Sequence, residues 1–300
     1  NAMIIGSVEE EHKRLAFVTK VYKALSARKL SLATPWLGNL RCGGNISSCF
    51  IVEPDDSIKS IFSNVENAAL ISQEGGGLGI SLARIRASGS EVRGRKGSSK
   101  GVFGWSKIFN DVAVFVDQGG KRAGAFTVSV PIWHRDIEGF LEIQSETGEL
   151  RNKAFDIFPQ VTVNDYFMEL DEKDGANLWY TFCPHEVKTV LDIELYSVYG
   201  KGFKASYKEC VKAYSKGLLL NVKVYPVRNL VKAIMKPQFD SGLPYVNFID
   251  TINDDNPNNH EGTIPCGHLC QESFSVVVPD KYAHTCNLAS VVAGRCENLE

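Results

Sequence analysis

Short apolar runs alternate with amphipathic segments along this chain, and that alternation constrains the fold more than any other feature. An apolar run at residues 48–52 predicts a buried strand. A helical pattern follows, with apolar residues at three- and four-residue intervals over 58–65, and Ser57 stands where a helix N-cap is expected. Because strands that alternate with helices form largely parallel sheets, the sequence predicts an α/β sheet or barrel.

The remaining elements follow from the same patterns. Helices are predicted over 7–30 and about 105–116, and two helical segments over 186–235. Strands are predicted at 127–130, 155–163, 245–249 and 286–292.

Composition excludes several classes of protein. The 300 residues are 44% hydrophobic and 23% charged, which excludes a disordered, collagen-like or coiled-coil chain. The formal net charge of −2 gives no general attraction to nucleic acid or to an anionic membrane. No apolar run approaches the roughly 20 residues of a membrane helix. We therefore expect neither nucleic acid nor a membrane as a partner.

The cysteines and the first residues bear on the cellular compartment. Glu9, Glu10 and Glu11 occupy the place where a signal peptide would need its apolar region. Eight cysteines without a secretion signal favour reduced thiols in a cytoplasm over a disulfide framework. We expect a cytoplasmic protein.

Two glycine-rich basic segments could bind an anion. Residues 75–79 read Gly-Gly-Gly-Leu-Gly and are followed by several arginines between 84 and 95; residues 117–122 read Asp-Gln-Gly-Gly-Lys-Arg. Backbone free of side chains can approach a phosphate, and arginines can complete the site. The spacing matches neither a Walker loop nor a dinucleotide fingerprint. Flexible surface loops with solvated arginines would look the same, so both interpretations stay open.

A cluster of sulfur and imidazole residues near the carboxyl end also allows two interpretations. Cys266, His268 and Cys270, followed by His284 and Cys286, have the composition of a zinc site, although their spacing fits one poorly. Buried cysteines also commonly act as small hydrophobes. Glu272 lies two residues after Cys270. On a strand these side chains would share a face, as a hydrogen-abstraction or acid/base site requires, but a solvated loop carboxylate would have the same sequence.

Seven blocks of sequence, in this order, resemble a known family. They are Ser47-Ser48-Cys49, residues 75–79, residues 85–90, residues 117–125, residues 133–137, residues 269–272 and residues 286–290. Together they resemble the large (α) subunit of aerobic ribonucleotide reductase, closest to class I, from about residue 33 to residue 292.

The resemblance implies a ten-stranded α/β barrel that reduces ribonucleoside diphosphates by radical chemistry. Cys270 then corresponds to the thiyl radical that abstracts the 3′ hydrogen, and Glu272 to the base that takes the 3′-hydroxyl proton. Cys49 and Cys286 correspond to the dithiol that supplies two electrons. No metal or cofactor is expected in this chain, because the radical would come from a separate metal-containing β subunit.

The resemblance also implies binding residues and regulation. Thr34 and Ser48 correspond to positions that hold the substrate. Deoxynucleotide or ATP effectors would bind at a homodimer interface, at positions that correspond to Asp56, Arg93, Gln118, Lys121 and Arg122. The loop at 117–126 would report effector binding to the active site.

Three departures from the family qualify these expectations. His268 replaces the asparagine that precedes the radical cysteine by two residues; a rival alignment with Cys266 as the radical cysteine matches worse. Residues 3–30 are expected to form an N-terminal helical segment without the ATP cone. Residues 31–300 are expected to form about the first half of the catalytic barrel, completed either by a second chain or by the remainder of a longer chain.

These departures keep two alternatives open. One is a non-catalytic nucleotide-binding regulatory subunit that keeps the effector site, and the other is a zinc-stabilised structural module.

Overall fold

The computed structural model describes residues 10–39, 43–118, 122–174 and 176–296. The strands in chain order are β1 (Leu30–Leu32), β2 (Cys49–Val52), β3 (Gly77–Ser81), β4 (Phe126–Pro131), β5 (Phe158–Val163), β6 (Leu178–Phe182), β7 (Val222–Pro226), β8 (Tyr245–Phe248), β9 (His284–Cys286) and β10 (Ala289–Val291). The helices are α1 (Glu11–Ser26), α2 (Thr34–Asn39), α3 (Ile58–Gln73), α4 (Gly101–Phe115), α5 (Ile137–Leu141), α6 (Asp165–Lys173), α7 (Pro184–Leu191), α8 (Gly200–Ser215), α9 (Val227–Ser241) and α10 (Ile249–Asp254).

A six-stranded sheet organises these elements. Its order is β8-β5-β4-β3-β2-β9; the first five strands in that order run parallel, and β9 runs antiparallel to β2. Every residue of β3 and β4 is buried, as in parallel sheets covered on both faces. The predicted α/β fold is confirmed.

Two smaller sheets flank the main one. β1 pairs with β10, and β6 forms an antiparallel pair with β7. Trp179, on β6, is fully buried and stacks on Tyr207 of α8 with ring centroids 4.3 Å apart. Its indole nitrogen donates a hydrogen bond to the Ile132 carbonyl just after β4, at 3.1 Å. This aromatic cluster fixes the β6–β7 pair and α8 against the main sheet.

Several predicted elements are confirmed, and α3 shows why. Its N-cap is Ser57, whose hydroxyl accepts a hydrogen bond from the Ser60 backbone N–H at 3.1 Å. The predicted strands at 127–130 and 245–249 match β4 and β8. The helix predicted over 7–30 ends at Ser26, because Arg28 adopts a left-handed φ of 55° that stops helical propagation.

Three predictions of local structure were wrong. Strand β7 lies inside the region predicted to be helical, where pairing with β6 overrides the local pattern. The single strand predicted at 286–292 is two strands in different sheets. Residues 155–157 precede β5 rather than belonging to it, because Asn110 of α4 accepts a hydrogen bond from the Asp156 backbone N–H at 2.7 Å.

Among the described residues, none of the helices has the length and apolar character needed to cross a bilayer. Helix α1 falls in the segment predicted to precede the barrel and has no buried residue. The division of the chain at residue 30 stays a prediction.

Candidate active site

Two cysteines face each other across β2 and β9, which are the first and the last strand of the main sheet in chain order. Cys49 opens β2 and Cys286 closes β9, and the two are direct partners in the antiparallel register. The Ser48 N–H donates to the Cys286 carbonyl at 2.8 Å, which holds the strand ends together. Cys49 is buried, whereas Cys286 is partly exposed. Register partners point to the same face of a sheet, so the two thiols share one surface.

A turn places a third cysteine on that surface. Gly267 bridges to Phe274, and the segment between them forms a tight loop that carries Cys270, whose thiol is exposed. Gln271 adopts a left-handed φ of 65° at the tip of the loop. The Cys270 thiol lies beside the Cys49 thiol closely enough for a side-chain hydrogen bond. Three sulfur atoms from distant parts of the chain therefore converge.

Two glycines of β3 let this loop lie directly on the sheet. A Cβ at Gly79 would overlap the Gly267 carbonyl oxygen and lie 2.8 Å from the Cα of His268. A Cβ at Gly77 would collide with the Leu269 side chain. Both positions are on one face of the strand, so this face of β3 has no side chains where the loop passes. The glycine-rich run 75–79 thus serves here to seat the loop.

Polar side chains from three neighbouring strands fasten the loop. The Thr127 hydroxyl on β4 donates to the Leu269 carbonyl at 3.1 Å. The Gln271 side-chain oxygen accepts hydrogen bonds from the amides of Gln160 on β5 and Asn247 on β8, each at 2.8 Å. Gln160 is fully buried and Asn247 nearly so, and Gln271 is partly exposed.

The environment of the thiols keeps them protonated. Burial, followed by the influence of Cys270, Glu272 and Cys286, raises the pKa of Cys49 to about 12. Burial and then the nearby Glu272 carboxylate raise the pKa of Cys270, and the Arg122 guanidinium offsets part of this effect. At neutral pH both groups are thiols, able to donate hydrogen.

Glu272 lies near the thiols of Cys49 and Cys270 because of a turn that the sequence did not predict. Cys270 and Glu272 do not share a face of a strand, because the segment is a turn. In it the Cys270 backbone N–H and the Gln271 side-chain amide donate to Nδ1 and to the carbonyl of His268. Glu272 nevertheless lies close enough to raise the pKa of both Cys49 and Cys270. The turn, not the strand pleat, brings thiol and carboxylate together.

His268 lies beneath the loop and is fully buried. Its Nδ1 accepts hydrogen bonds from the backbone N–H groups of Cys270 at 3.1 Å and Gln271 at 3.2 Å. Its Nε2 lies 3.3 Å from Oε1 of Glu272. Behind it, the ring of His284 shares a 2.8 Å hydrogen bond with the Ser273 hydroxyl.

The geometry speaks against the zinc-stabilised module. Cys266 packs with Ile51 and Val277 in a small apolar cluster, whereas Cys270 is exposed at the tip of the turn. Burial raises the pKa of Cys266 well above its usual value, which disfavours the thiolate that a metal requires. Among the described residues, no group of three or more histidine, cysteine or acidic side chains is arranged to hold a metal.

Of the two predicted substrate-binding residues, only Ser48 can be placed fully. It precedes Cys49, and its hydroxyl is buried without a hydrogen-bond partner in the described part of the chain. Its carbonyl accepts from the Gly77 N–H at 2.8 Å, which ties it to β3. Thr34 begins α2, but its side chain lies outside the described residues.

The predicted effector residues lie in two places. Asp56 follows the carboxyl end of β2, opposite to the end that carries Cys49. Its carboxylate accepts hydrogen bonds from the Arg86 side chain at 2.8 Å and the Arg86 backbone N–H at 3.2 Å, and His185 lies 3.6 Å away. Arg93 is exposed, with a left-handed φ of 50°, in the loop whose Glu91 carbonyl accepts from Arg86.

The rest of the predicted effector set lies at the sulfur end of the sheet. Gln118 donates to the Gly76 carbonyl at 3.1 Å, next to β3, and forms a backbone bridge with Arg122. Arg122 lies near enough to Cys270 to influence its pKa. Lys121 lies outside the described residues.

Sequence reasoning missed the residues that position the loop. They are Gln271, Gln160, Asn247 and Thr127. The only available signal was polar residues inside otherwise apolar strands, as at Thr127 and Gln160.

Comparison with known proteins agrees with this geometry. The family model "Ribonucleotide reductase, barrel domain" matches residues 47–299. The ribonucleoside-diphosphate reductase subunit alpha of Synechocystis sp. is 45% identical over 97% of this chain and 38% of its own length. The corresponding subunit of Treponema pallidum is 35% identical over 89% of this chain and 31% of its own length.

A eukaryotic protein is also similar. The ribonucleoside-diphosphate reductase large subunit of Caenorhabditis elegans is 35% identical over 92% of this chain and 34% of its own length. The chain thus spans roughly a third of the length of these relatives. On the match to the barrel-domain model and on these identities, the chain belongs to the ribonucleotide reductase barrel-domain family.

Proposed function

We propose that this chain carries the reducing thiols of a ribonucleotide reductase α subunit that acts on ribonucleoside diphosphates. The observation that carries the proposal is the convergence of Cys49, Cys270 and Cys286 beside Glu272. The relatives named above are ribonucleoside-diphosphate reductases, which supports the diphosphate as substrate.

The residues divide the chemistry between them. Cys270, as a thiyl radical, takes the hydrogen atom from C3′ of the ribose, and Glu272 accepts the proton of the 3′-hydroxyl. The C2′–O bond breaks and the hydroxyl leaves as water. Cys49 and Cys286 supply two electrons and two protons and become a disulfide. Cys270 returns its hydrogen to C3′, and Glu272 returns its proton to the 3′ oxygen. One ribonucleotide and two thiols give one deoxyribonucleotide, one water and one disulfide.

The protonated state of the thiols suits this role. With a pKa of about 12, Cys49 holds its proton at neutral pH and can deliver it to the departing hydroxyl. Cys270 must likewise begin as a thiol, because a hydrogen atom has to be removed from it to form the radical. A separate metal-containing β subunit would supply the radical.

The same proposal includes an effector site. Asp56 and Arg93 would contact a deoxynucleotide or ATP at a homodimer interface, and the loop with Gln118, Lys121 and Arg122 would transmit its presence. The position of Arg122 near Cys270 supports this link, since a shift of the loop would alter the surroundings of the thiol.

The test uses the complete assembly purified from its native source, with whatever chains accompany this one. Ribonucleoside diphosphates and a dithiol reductant are added, and deoxynucleotides are separated by chromatography. We expect reduction that disappears, by at least about a thousandfold, in Cys270→Ser, and persists in Cys296→Ser, a cysteine outside the cluster.

The outcomes separate the candidate functions. Deoxynucleotide binding without any reduction would contradict the proposal and select the non-catalytic regulatory subunit. The structural module would be selected instead if the unaltered protein holds stoichiometric zinc and Cys270→Ser loses both the zinc and the fold.

A further inference from the structure

The buried ring of His268 is held in one chemical form by its surroundings. Nδ1 accepts hydrogen bonds from two backbone N–H groups, those of Cys270 and Gln271. A nitrogen that accepts two such bonds cannot carry a proton of its own, so the neutral ring must carry its proton on Nε2. The turn that presents Cys270 therefore also fixes the tautomer of His268.

The Nε2–H group of His268 needs a hydrogen-bond acceptor. Nε2 is buried and, among the described residues, makes no hydrogen bond of good geometry. Its nearest acidic group is Glu272, whose Oε1 lies 3.3 Å away. A buried N–H without an acceptor is costly, and catalytic hydrogen bonds often shorten only when substrate binds. The geometry therefore favours a bond from Nε2 to Glu272 in the working enzyme.

Full burial separates His268 from the substrate. The ring has no exposed surface, whereas the Glu272 side chain is 42% exposed. The ring cannot contact a ribose lying on the exposed face, although the carboxylate can. His284, the other titratable ring nearby, is bonded to Ser273 and does not compete for Glu272.

We propose that His268 is a positioning residue that donates its Nε2–H to Oε1 of Glu272 and so aims the second oxygen of that carboxylate at the ribose 3′-hydroxyl. This inference rests on the proposed function. It gives His268 two tasks, since Nδ1 holds the turn that carries the radical cysteine while Nε2 orients the base.

Two substitutions separate these tasks. His268→Asn keeps an acceptor near the place of Nδ1, but its amide ends one bond short of Nε2. His268→Gln reaches the place of Nε2 with an N–H donor and lacks the Nδ1 acceptor. His260→Asn is the matched control, because His260 is an exposed histidine outside the site.

In the native assembly, we expect kcat of His268→Asn to fall about tenfold with KM changed less than about twofold, since an interaction made in the transition state is lost. His268→Gln should recover most of that loss, and His260→Asn should match the unaltered enzyme. Equal turnover in His268→Asn and the unaltered enzyme would overturn the inference. So would losses of similar size in both His268 variants, accompanied by a lower melting temperature, which would show a purely structural role.

A second measurement does not depend on turnover. Neutron diffraction of the resting protein should show the His268 proton on Nε2, and a proton on Nδ1 would refute the inference even if the enzyme is active. Failure of the proposed function would give a different result, because the unaltered assembly itself would then form no deoxynucleotide.

Discussion

Cys49 and Cys286 are direct register partners across β2 and β9. Partners in an antiparallel ladder have Cα atoms about 4.5–5.5 Å apart, which falls within the roughly 4.4–6.8 Å that a disulfide spans. The strand register therefore places the two cysteines within the reach of a disulfide. The two thiols can therefore be oxidised and reduced without a rearrangement of the sheet.

The first prediction concerns this pair. We expect Cys286→Ser to lower steady-state turnover with a dithiol reductant at least about a hundredfold, because Cys49 is left without a partner for the two-electron step. Mass spectrometry of peptides after turnover should show the 49–286 disulfide in the unaltered protein and not in Cys286→Ser. Cys296→Ser should retain the disulfide and the rate. Full turnover in Cys286→Ser would rule out the dithiol assignment.

The second prediction concerns the seat of the loop. Gly79→Ala places a methyl group against backbone atoms of Gly267 and His268, which cannot swing aside as a flexible side chain could. We expect a loss of turnover of about a hundredfold or more, since misplacing a reacting group by about 1 Å can cost that much. Gly38→Ala, at a position with open space around it, is the control. Normal turnover in Gly79→Ala would show that the loop does not need its close approach to β3.

The third prediction is a loss of stability at alkaline pH. Burial raises the pKa of both Cys49 and Cys210 from 9.0 to about 12. Below pH 9 folded and unfolded chains both keep these protons; between pH 9 and about 12 the unfolded chain releases them while the folded chain keeps them. The unfolded state then binds fewer protons, so the free energy of unfolding falls as pH rises.

The slope can be measured. Each such group contributes up to about 1.4 kcal/mol per pH unit within this window. The midpoint of urea unfolding should decline from pH 9 upwards, and it should decline less steeply in Cys210→Ala. The quantity compared is the slope of the midpoint against pH, not the absolute stability of the variant. A midpoint that stays constant to pH 10.5 would contradict the assignment of buried, protonated thiols.

The fourth prediction tests the effector site. Asp56→Asn removes the charge that pairs with Arg86 and should release the loop that carries Arg93. We expect affinity for deoxynucleoside triphosphates to fall about tenfold or more in equilibrium binding, while basal reduction changes little. Asp55→Asn, a neighbouring exposed carboxylate, serves as the control. Unchanged binding in Asp56→Asn would place the effector elsewhere.

Much of the sheet could be predicted, because its strands are short apolar runs set off by turns and caps. Ser57 is an example, since one hydroxyl at the right spacing marks the start of α3. β7 could not be predicted in this way, because all five of its residues are only partly buried and its strand state depends on pairing with β6. The break between β9 and β10 likewise depends on which strand each one meets.

The candidate site was predicted from a resemblance, and its local geometry was not. Spacing alone left a shared strand face and a loop both open for Cys270 and Glu272, and the left-handed backbone at Gln271 makes a turn. The side-chain amides of Gln160 and Asn247 both donate to the side-chain oxygen of Gln271. Each of them lies more than twenty residues from Gln271 along the chain. Long-range bonds of this kind leave no periodic signal in a sequence.

The docking of β9 onto β2 has a consequence for the order in which the protein is made. β2 is the first strand of the main sheet to leave the ribosome and β9 is the last, so Cys49 emerges well before the strand that carries its partner. Pairing between strands so distant along the chain carries a large loop-closure cost and is slow to form. A nascent polypeptide stopped anywhere short of β9 would display a lone sulfhydryl at Cys49, and electron transfer would begin only once translation had passed Cys286.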